Sequence, residues 1–508
     1  MARGRPERKE AELFDLLVSG GTVVTPAGTQ ALDVAVQDGT IAGVLRPGLA
    51  LEARRRIDAS GCLVLPGGID PHVHYNVTFG GVTSEGQEFS HACALGGTTT
   101  ILDFVFHEAY AEPYRTVHDA VAAKRLEADG NIAVDYGIHV CLAGNPPDAA
   151  IEEIGDLIRA GLPTIKTMTT YGFMSDDGHR LGVMAEVARH GGLSVIHAED
   201  DAIMAWLTAR LVREGKTHGG YIAEARPALA EEAAVRRAIV LAEHTGSPLY
   251  VLHVAAERAA RAIAEARGRG LPVYGESLAT YLSFTGAVLF DDARRGLLWN
   301  NYPTLKTQAD QDGLWAALAR DDLQCVGSDH LAHTARQRYE VMGSTVDSLQ
   351  CGQVATELRL PVVYHRGVVE GRLSLERFVD VVSTNPAKLM GLYPRKGAIA
   401  PGSDADLVVL DPARRWTVRA DELHMSSDFS CWEGWELQGK VRDTILRGEV
   451  LVEGGAYVGS RTGGRFLERR IAPQLLATPP NLAWTAPRGR YASPTAAGAA
   501  SATAMSSL

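Results

Sequence analysis

Two histidines, His72 and His74, stand one residue apart in "LPGGIDPHVHYN" (Leu65 to Asn76), directly after an apolar, glycine-rich run. Two imidazoles alone cannot fill a metal's coordination sphere, and the chain contains 16 histidines, so the pair has meaning only if other segments supply further ligands. Several segments do. Lys166 lies in "LPTIKTM", His197 closes "LSVIHAED", His253 closes "PLYVLHV" and Asp329 closes "LQCVGSDH". Four imidazoles, one carboxylate and one lysine make a ligand set for two divalent metal ions, zinc being the first candidate. An ammonium group would repel such ions. Lys166 therefore fits as a carbamylated side chain (N6-carboxylysine), whose carboxylate is long enough to bridge two ions. Any one of these residues could be a hydrogen-bonded core residue or a surface residue; jointly, polar groups at matching ends of five apolar runs are hard to obtain by chance.

The elements that must position them are legible in the patterning. Apolar runs alternate with alanine-rich helical stretches: "CLVLPGGID", "TTTILDFVF", "AVDYGIHVCL", "LPTIKTM", "LSVIHAED", "PLYVLHV", "LPVYGES" and "LQCVGSDH". Near-continuous apolar strands imply burial on both faces and hence a parallel sheet covered by helices. Stretches such as "EEAAVRRAIVLAEHTG" place apolar residues at helical spacing and close on glycine. Eight such units predict an α/β fold, a (β/α)8 barrel over residues 66–393, with the chemistry at the C-terminal ends of its strands. Short β-branched runs with glycine turns at both chain ends, residues 12–65 and 394–460, are expected to pair as one smaller β-sandwich. Residues 461–508 read as a C-terminal arm, around "APQLLATPPNLAW", which could lie on a neighbouring subunit, followed by a disordered low-complexity tail.

Composition narrows the function classes. A formal net charge of -11 argues against a nucleic-acid partner, because neutralising phosphates needs a basic surface. No run is long and apolar enough to span a bilayer, no signal-peptide pattern opens the chain, and the six cysteines show no paired spacing. A cytoplasmic protein acting on a small molecule is the expectation.

At this point the sequence resembles the cyclic amidohydrolases of the dihydropyrimidinase and hydantoinase type. The likeness runs from about Asp15 to Gly454 through "GGIDPHVH", "GGTTTILDF", "IKTMTTY", "IHAED", "RPALAEEAAV", "LYVLHVA", "GSDH" and "STNPAKLMGLYPRKGAIAPGSDADLVVLDP". The resemblance implies a barrel with a β-sandwich, a binuclear zinc centre and hydrolytic opening of a cyclic amide, usually in a homotetramer. Carried over by position, His72, His74, carbamylated Lys166 and Asp329 would bind one zinc, and Lys166, His197 and His253 the other. A hydroxide held between the ions would attack the ring carbonyl. Tyr171 would stabilise the oxyanion, and Asp329 would shuttle the proton to the leaving nitrogen. Glu199 would orient His197 and His330 would stand behind Asp329. His139 reads as a core histidine, His91 as structural, and His333 as one that could touch substrate; His107 has no assigned part.

Two departures bear on the substrate. Where the family presents a serine-proline-proline segment whose serine backbone grips the ureide, this chain has "WNNYPTLK", with Tyr302 in the serine's place. Where many members have an asparagine before a glycine, it has Cys351 in "LQCGQ". Allantoinases and dihydroorotases, an alternative reading, commonly carry an arginine shortly after the paired histidines, whereas here the chain continues "VTFGGVTSEG". An uncharged cyclic ureide or imide is therefore the expected substrate, contacted by Tyr171, Tyr302 and Cys351. The other alternative, a non-catalytic scaffold protein of the same fold, is disfavoured because such proteins lose metal ligands.

Overall fold

The computed structural model describes residues 13–107, 115–291 and 295–477. Its centre is an eight-stranded parallel sheet whose strands follow one another in chain order: β1 (Gly68–Val73), β2 (Thr98–His107), β3 (Asp135–Leu142), β4 (Thr164–Met168), β5 (Leu193–His197), β6 (Leu249–Val251), β7 (Val273–Leu278) and β8 (Cys325–Gly327). The ladder returns on itself where β8 meets β1. A parallel bridge joins Val73 to His330, and the His74 amide donates to the His330 carbonyl at 2.7 Å. The expected barrel is what these strands build. They are buried along nearly their whole length, as a sheet covered on both faces requires.

The covering helices end as the sequence predicts. Asp177–His190 and Ala228–Thr245 stop at Gly191 and Gly246, both left-handed, with φ of 73° and 70°. Only glycine takes that conformation without a Cβ clash.

Both chain ends contribute to the remaining sheets. A four-stranded sheet from residues 14–58 packs against a seven-stranded one that joins Leu63–Pro66 and Thr22–Thr25 to Leu407–Thr417 and Glu436–Leu446. Leu16, Val34 and Ile57 of the first share a core with Val64, Leu407 and Ile445 of the second. The first barrel run, "CLVLPGGID", turns out to hold two strands. Leu63–Pro66 pairs in the seven-stranded sheet, and only Gly68–Val73 enters the barrel. The crossing falls on Gly67, where a Cβ would lie 2.2 Å from Thr99 Oγ1, so no other residue fits there unless the neighbouring strand moves. Beyond the sandwich strands the chain returns to the barrel. Phe466 bridges Tyr136, and the buried Arg469 guanidinium donates to Thr164 Oγ1 at 2.8 Å and to the Ile138 carbonyl. The arm expected near residue 471 is described only as far as the short helix Pro473–Leu476 and Ala477; the rest of it, and the tail, lie outside the described residues.

Candidate metal centre

The polar residues singled out in the sequence meet at the C-terminal end of the barrel. His72 Nε2 lies 3.2 Å from His74 Nε2, and both face Asp329 Oδ1, at 3.1 and 3.3 Å. His197 Nδ1 lies 2.9 Å from His253 Nε2, and the His72 and His253 rings are 5.3 Å apart. Lys166 projects from β4 into the same cavity, its Nζ 4.1 Å from the Phe104 ring centroid. Tyr171, Tyr302 and Cys351 also line this cavity, with Val77, Phe79 and Met168 on its apolar side. Among the described residues its lining contains no arginine.

Several backbones here are held away from regular strand geometry. Tyr171, His253 and Asp329 adopt positive φ, 66°, 38° and 51°. Non-glycine residues take this region at a cost of the order of 1–3 kcal/mol, and in each case it turns a strand-end side chain into the cavity. Asp70 serves as a clamp: its Oδ1 accepts from the amides of His72 and Ser328, at 3.2 and 3.1 Å, tying the end of β1 to that of β8. Its charge is met by the buried Arg359 at 3.5 Å.

Two carboxylates fix which nitrogens face inward. Glu276, on β7, accepts from His72 Nδ1 at 2.6 Å, from the Tyr250 hydroxyl at 2.9 Å and from the His253 amide at 3.2 Å. His72 therefore keeps a proton on Nδ1, which leaves Nε2 as the nitrogen that faces the cavity. Glu199 does the same for His197, accepting from Nε2 at 3.1 Å and leaving Nδ1 inward. His74 Nδ1 and His253 Nδ1 are buried with no hydrogen-bond partner. The nitrogens that crowd on one another are His72 Nε2, His74 Nε2, His197 Nδ1 and His253 Nε2, with a carboxylate behind two of the rings, a donor set that fits divalent cations; His72, His253 and Asp329 already lie close enough to share one.

The electrostatics agree. Burial disfavours a charged His72, but Asp329 and Glu276 outweigh it and lift its pKa to about 9. Burial drives His74 down to about 3, and it holds His197 and His253 below their ordinary value. Burial opposes ionisation of Asp329, yet His72 beside it keeps the carboxyl well below the usual range. The cluster thus retains one proton in a negative field that a divalent ion would displace. Burial also lowers the Lys166 pKa, favouring the uncharged amine, which is the form that adds carbon dioxide.

Behind Tyr171 and Tyr302, Arg226 donates to the Tyr171 hydroxyl oxygen at 3.1 Å while paired with Glu199. That leaves the Tyr171 proton free to donate into the cavity, and burial keeps the phenol protonated by raising its pKa well above 10. The Arg226 guanidinium lies 3.7 Å over the Tyr302 ring, whose hydroxyl donates to the Leu349 carbonyl. Burial pushes the Cys351 thiol up to about 12, so it is a neutral wall of the pocket and no nucleophile.

The remaining histidines stand apart. His330 Nε2 is 2.6 Å from Glu85 behind Asp329, and His139 is buried on Phe104 with its Nε2 3.0 Å from the Pro71 carbonyl. His91 Nδ1 meets the Glu88 carbonyl at 3.1 Å. His333, expected as a substrate contact, is turned behind Gly352 and does not line the cavity. Sequence reasoning missed Glu276, Arg226 and Asn301, the last of which donates to Asp329 Oδ2 at 2.8 Å. For Glu276 a signal existed, an acid inside an otherwise apolar strand run.

Known proteins share this architecture. The amidohydrolase family model matches residues 63–451. The D-hydantoinase of Ralstonia pickettii is 36% identical over 466 residues, covering 90% of this chain and 99% of the relative. Among solved structures, D-hydantoinase from a Bacillus sp. AR9 superimposes with a TM-score of 0.85 at 36% identity, covering 90% of this chain and 99% of that one. Dihydropyrimidinase from Brevibacillus agri does so with a TM-score of 0.85 at 34% identity, again covering 90% and 99%.

Proposed function

Because the chain belongs to the amidohydrolase family, we propose that it opens the ring of a cyclic amide, a hydantoin, dihydropyrimidine or related uncharged ureide or imide, by hydrolysing a C–N bond. The observation that carries this reading is the convergence of His72, His74, Lys166, His197, His253 and Asp329 on one cavity, with Glu276 and Glu199 turning imidazole nitrogens inward. His72, His74, Asp329 and carbamylated Lys166 would hold one divalent ion, and Lys166, His197 and His253 the second, zinc being the first candidate. When bound, such ions polarise a carbonyl and lower the pKa of water towards about 7.

The protein's own groups do the rest. Tyr171 donates its hydroxyl proton to the carbonyl oxygen as negative charge develops there, held in place by Arg226. Asp329, ionised in the resting site, accepts a proton from the attacking water and gives it to the leaving nitrogen. Arg338 and the Tyr302 hydroxyl staple the segment around residue 300 to residues 349–352 through the backbone of Asn300, Leu349, Gln350 and Gly352. The staple leaves the backbones of Tyr302 and Cys351 out, which supports a backbone grip on the ring amide in spite of the two changed side chains. A lining without arginine among the described residues supports an uncharged ring over a carboxylated one.

A panel of hydantoins, dihydropyrimidines, cyclic imides and allantoin, scored for ring opening alongside the metal content of the purified protein, tests this function. Turnover with about two metals per chain supports it. Near-zero metal, unmodified Lys166 by intact mass and no turnover would sink it. Assembly as a homotetramer belongs to the same reading and is checked by sedimentation.

A further inference from the structure

Asp329 has two oxygens, and the structure treats them differently. Oδ1 faces His72 and His74, at 3.1 and 3.3 Å, whereas Oδ2 accepts from Asn301 Nδ2 at 2.8 Å. Asn301 is 2% exposed and lines the cavity. It is also rigidly presented. Its neighbour Asn300 is anchored three ways: its carbonyl accepts from Arg338 at 3.1 Å, its amide nitrogen Nδ2 donates to the Gln350 carbonyl at 3.0 Å, and its Oδ1 accepts from Thr304 at 3.2 Å. On the other side, Tyr302 is pinned by its hydroxyl and by Arg226. Arg338, fully buried, also donates to the carbonyls of Gln350 and Gly352. A side chain fixed between two such anchors, and reaching the carboxylate that sits against the imidazoles, is placed to aim it.

We propose that Asn301 is a positioning residue for proton transfer, clamping Asp329 by Oδ2. This deepens, and rests on, the proposed ring opening. An amide Nδ2 can donate but cannot accept, so it holds Oδ2 and removes the torsional freedom that Asp329, at a positive φ, would otherwise have. It also fixes the carboxylate's orientation, so that the oxygen receiving the proton from the attacking water faces both that water and the leaving nitrogen. The proton changes hands within the site, and the products carry it away on the released amine-side nitrogen; Asn301 itself exchanges none.

The test uses the metal-loaded holoenzyme and its variants on the ring that wild type opens best, with metal content measured for each. Asn301→Ala is expected to lower kcat about 10- to 100-fold, the loss of one hydrogen bond to a charged group, with KM within about twofold and metal content unchanged. Its solvent deuterium isotope effect on kcat should rise, because proton transfer becomes the slower step. Asn301→Gln, which keeps the donor, should recover part of the loss. Asn301→Asp, the same size but a second carboxylate against Asp329, should fall below Ala. An Ala or Asp variant within about twofold of wild-type kcat at equal metal content overturns the inference, and so does a slower Ala variant whose isotope effect does not move. A wild-type protein that opens none of the rings removes the activity and this inference together, whereas an active wild type with indifferent variants removes only the inference.

Discussion

At the two ends of the same barrel, buried charge is handled in opposite ways. At the N-terminal end Lys396, 1% exposed, meets Asp135 at 2.7 Å, Asp406 at 2.8 Å and Asp404 at 3.0 Å. Arg447 completes the set through Asp135, and the Arg465 and Arg447 amides cap Asp135 and Asp406 at 2.9 Å. Every carboxylate there has partners, and the cluster joins the barrel to the sandwich strands and to the returning C-terminal segment. At the C-terminal end the inward nitrogens face one another, His72 Nε2 on His74 Nε2 and His197 Nδ1 on His253 Nε2, so at most one of each pair can donate, and the other ring nitrogens of His74 and His253 are buried without partners. A satisfied buried cluster is a structural joint; an unsatisfied one costs stability and persists where a ligand completes it. The contrast distinguishes the two ends without reference to any relative.

It can be broken by mutation, and the largest effect belongs to the open end. His197→Ala should cut ring opening at least about a thousandfold, and unchanged turnover would rule out the binuclear site. Glu199, which accepts from His197 Nε2, keeps its ion pair with Arg226 in that variant, so no buried charge is stranded and the thermal midpoint of the metal-free variant should fall little. At the closed end the outcome reverses. Lys396→Met takes the shared ammonium from three carboxylates, leaving Asp406 with no cationic partner, and should destabilise the fold by about 3–5 kcal/mol, read as a marked drop in the denaturation midpoint; an unaltered midpoint would mean that the joint carries no load. Between them, Glu276→Gln keeps the volume but weakens the carboxylate behind His72, and metal affinity measured by chelator competition should drop about 10- to 100-fold while the midpoint of the metal-free protein stays close to wild type.

The smallest effect lies outside both ends, beside the helix His91–Leu95, where Glu357 accepts from His424 Nδ1 at 3.0 Å and from its amide at 2.7 Å. The hydrogen bond to Glu357 outweighs burial and raises the His424 pKa. A histidine raised in the folded state contributes stability that is fully present below its unfolded value near 6.5 and is lost as pH climbs through the folded value. With the side chain 43% exposed, solvent screening leaves about 0.5 kcal/mol or less. The thermal midpoint should slip slightly as pH rises from about 6 to 8, and His424→Ala should abolish that slope.

The barrel was legible because a parallel strand buried on both faces writes its burial into consecutive residues, and because a strand's end is a local property. Thus "PHVH", "IHAED" and "GSDH" could be placed at the same end of the barrel from sequence alone. What stands behind them could not. Glu276 is 204 residues from His72, Asn301 is 28 from Asp329, and Arg226 is 55 from Tyr171. Nothing in local patterning ties such pairs together. The same limit made "CLVLPGGID" read as one strand, since a change of sheet at Gly67 leaves the apolar run unbroken.

The sequence by itself determined the barrel, the end at which its chemistry sits and the residue types able to hold metal, all of which follow from periodicity and from side-chain chemistry. Only the tertiary structure decided which imidazole nitrogens face inward, that Asp329 is held at one oxygen by Asn301, and that His333 is turned away. Those outcomes depend on side chains brought together by chain closure, where a difference of an ångström separates a hydrogen bond from none.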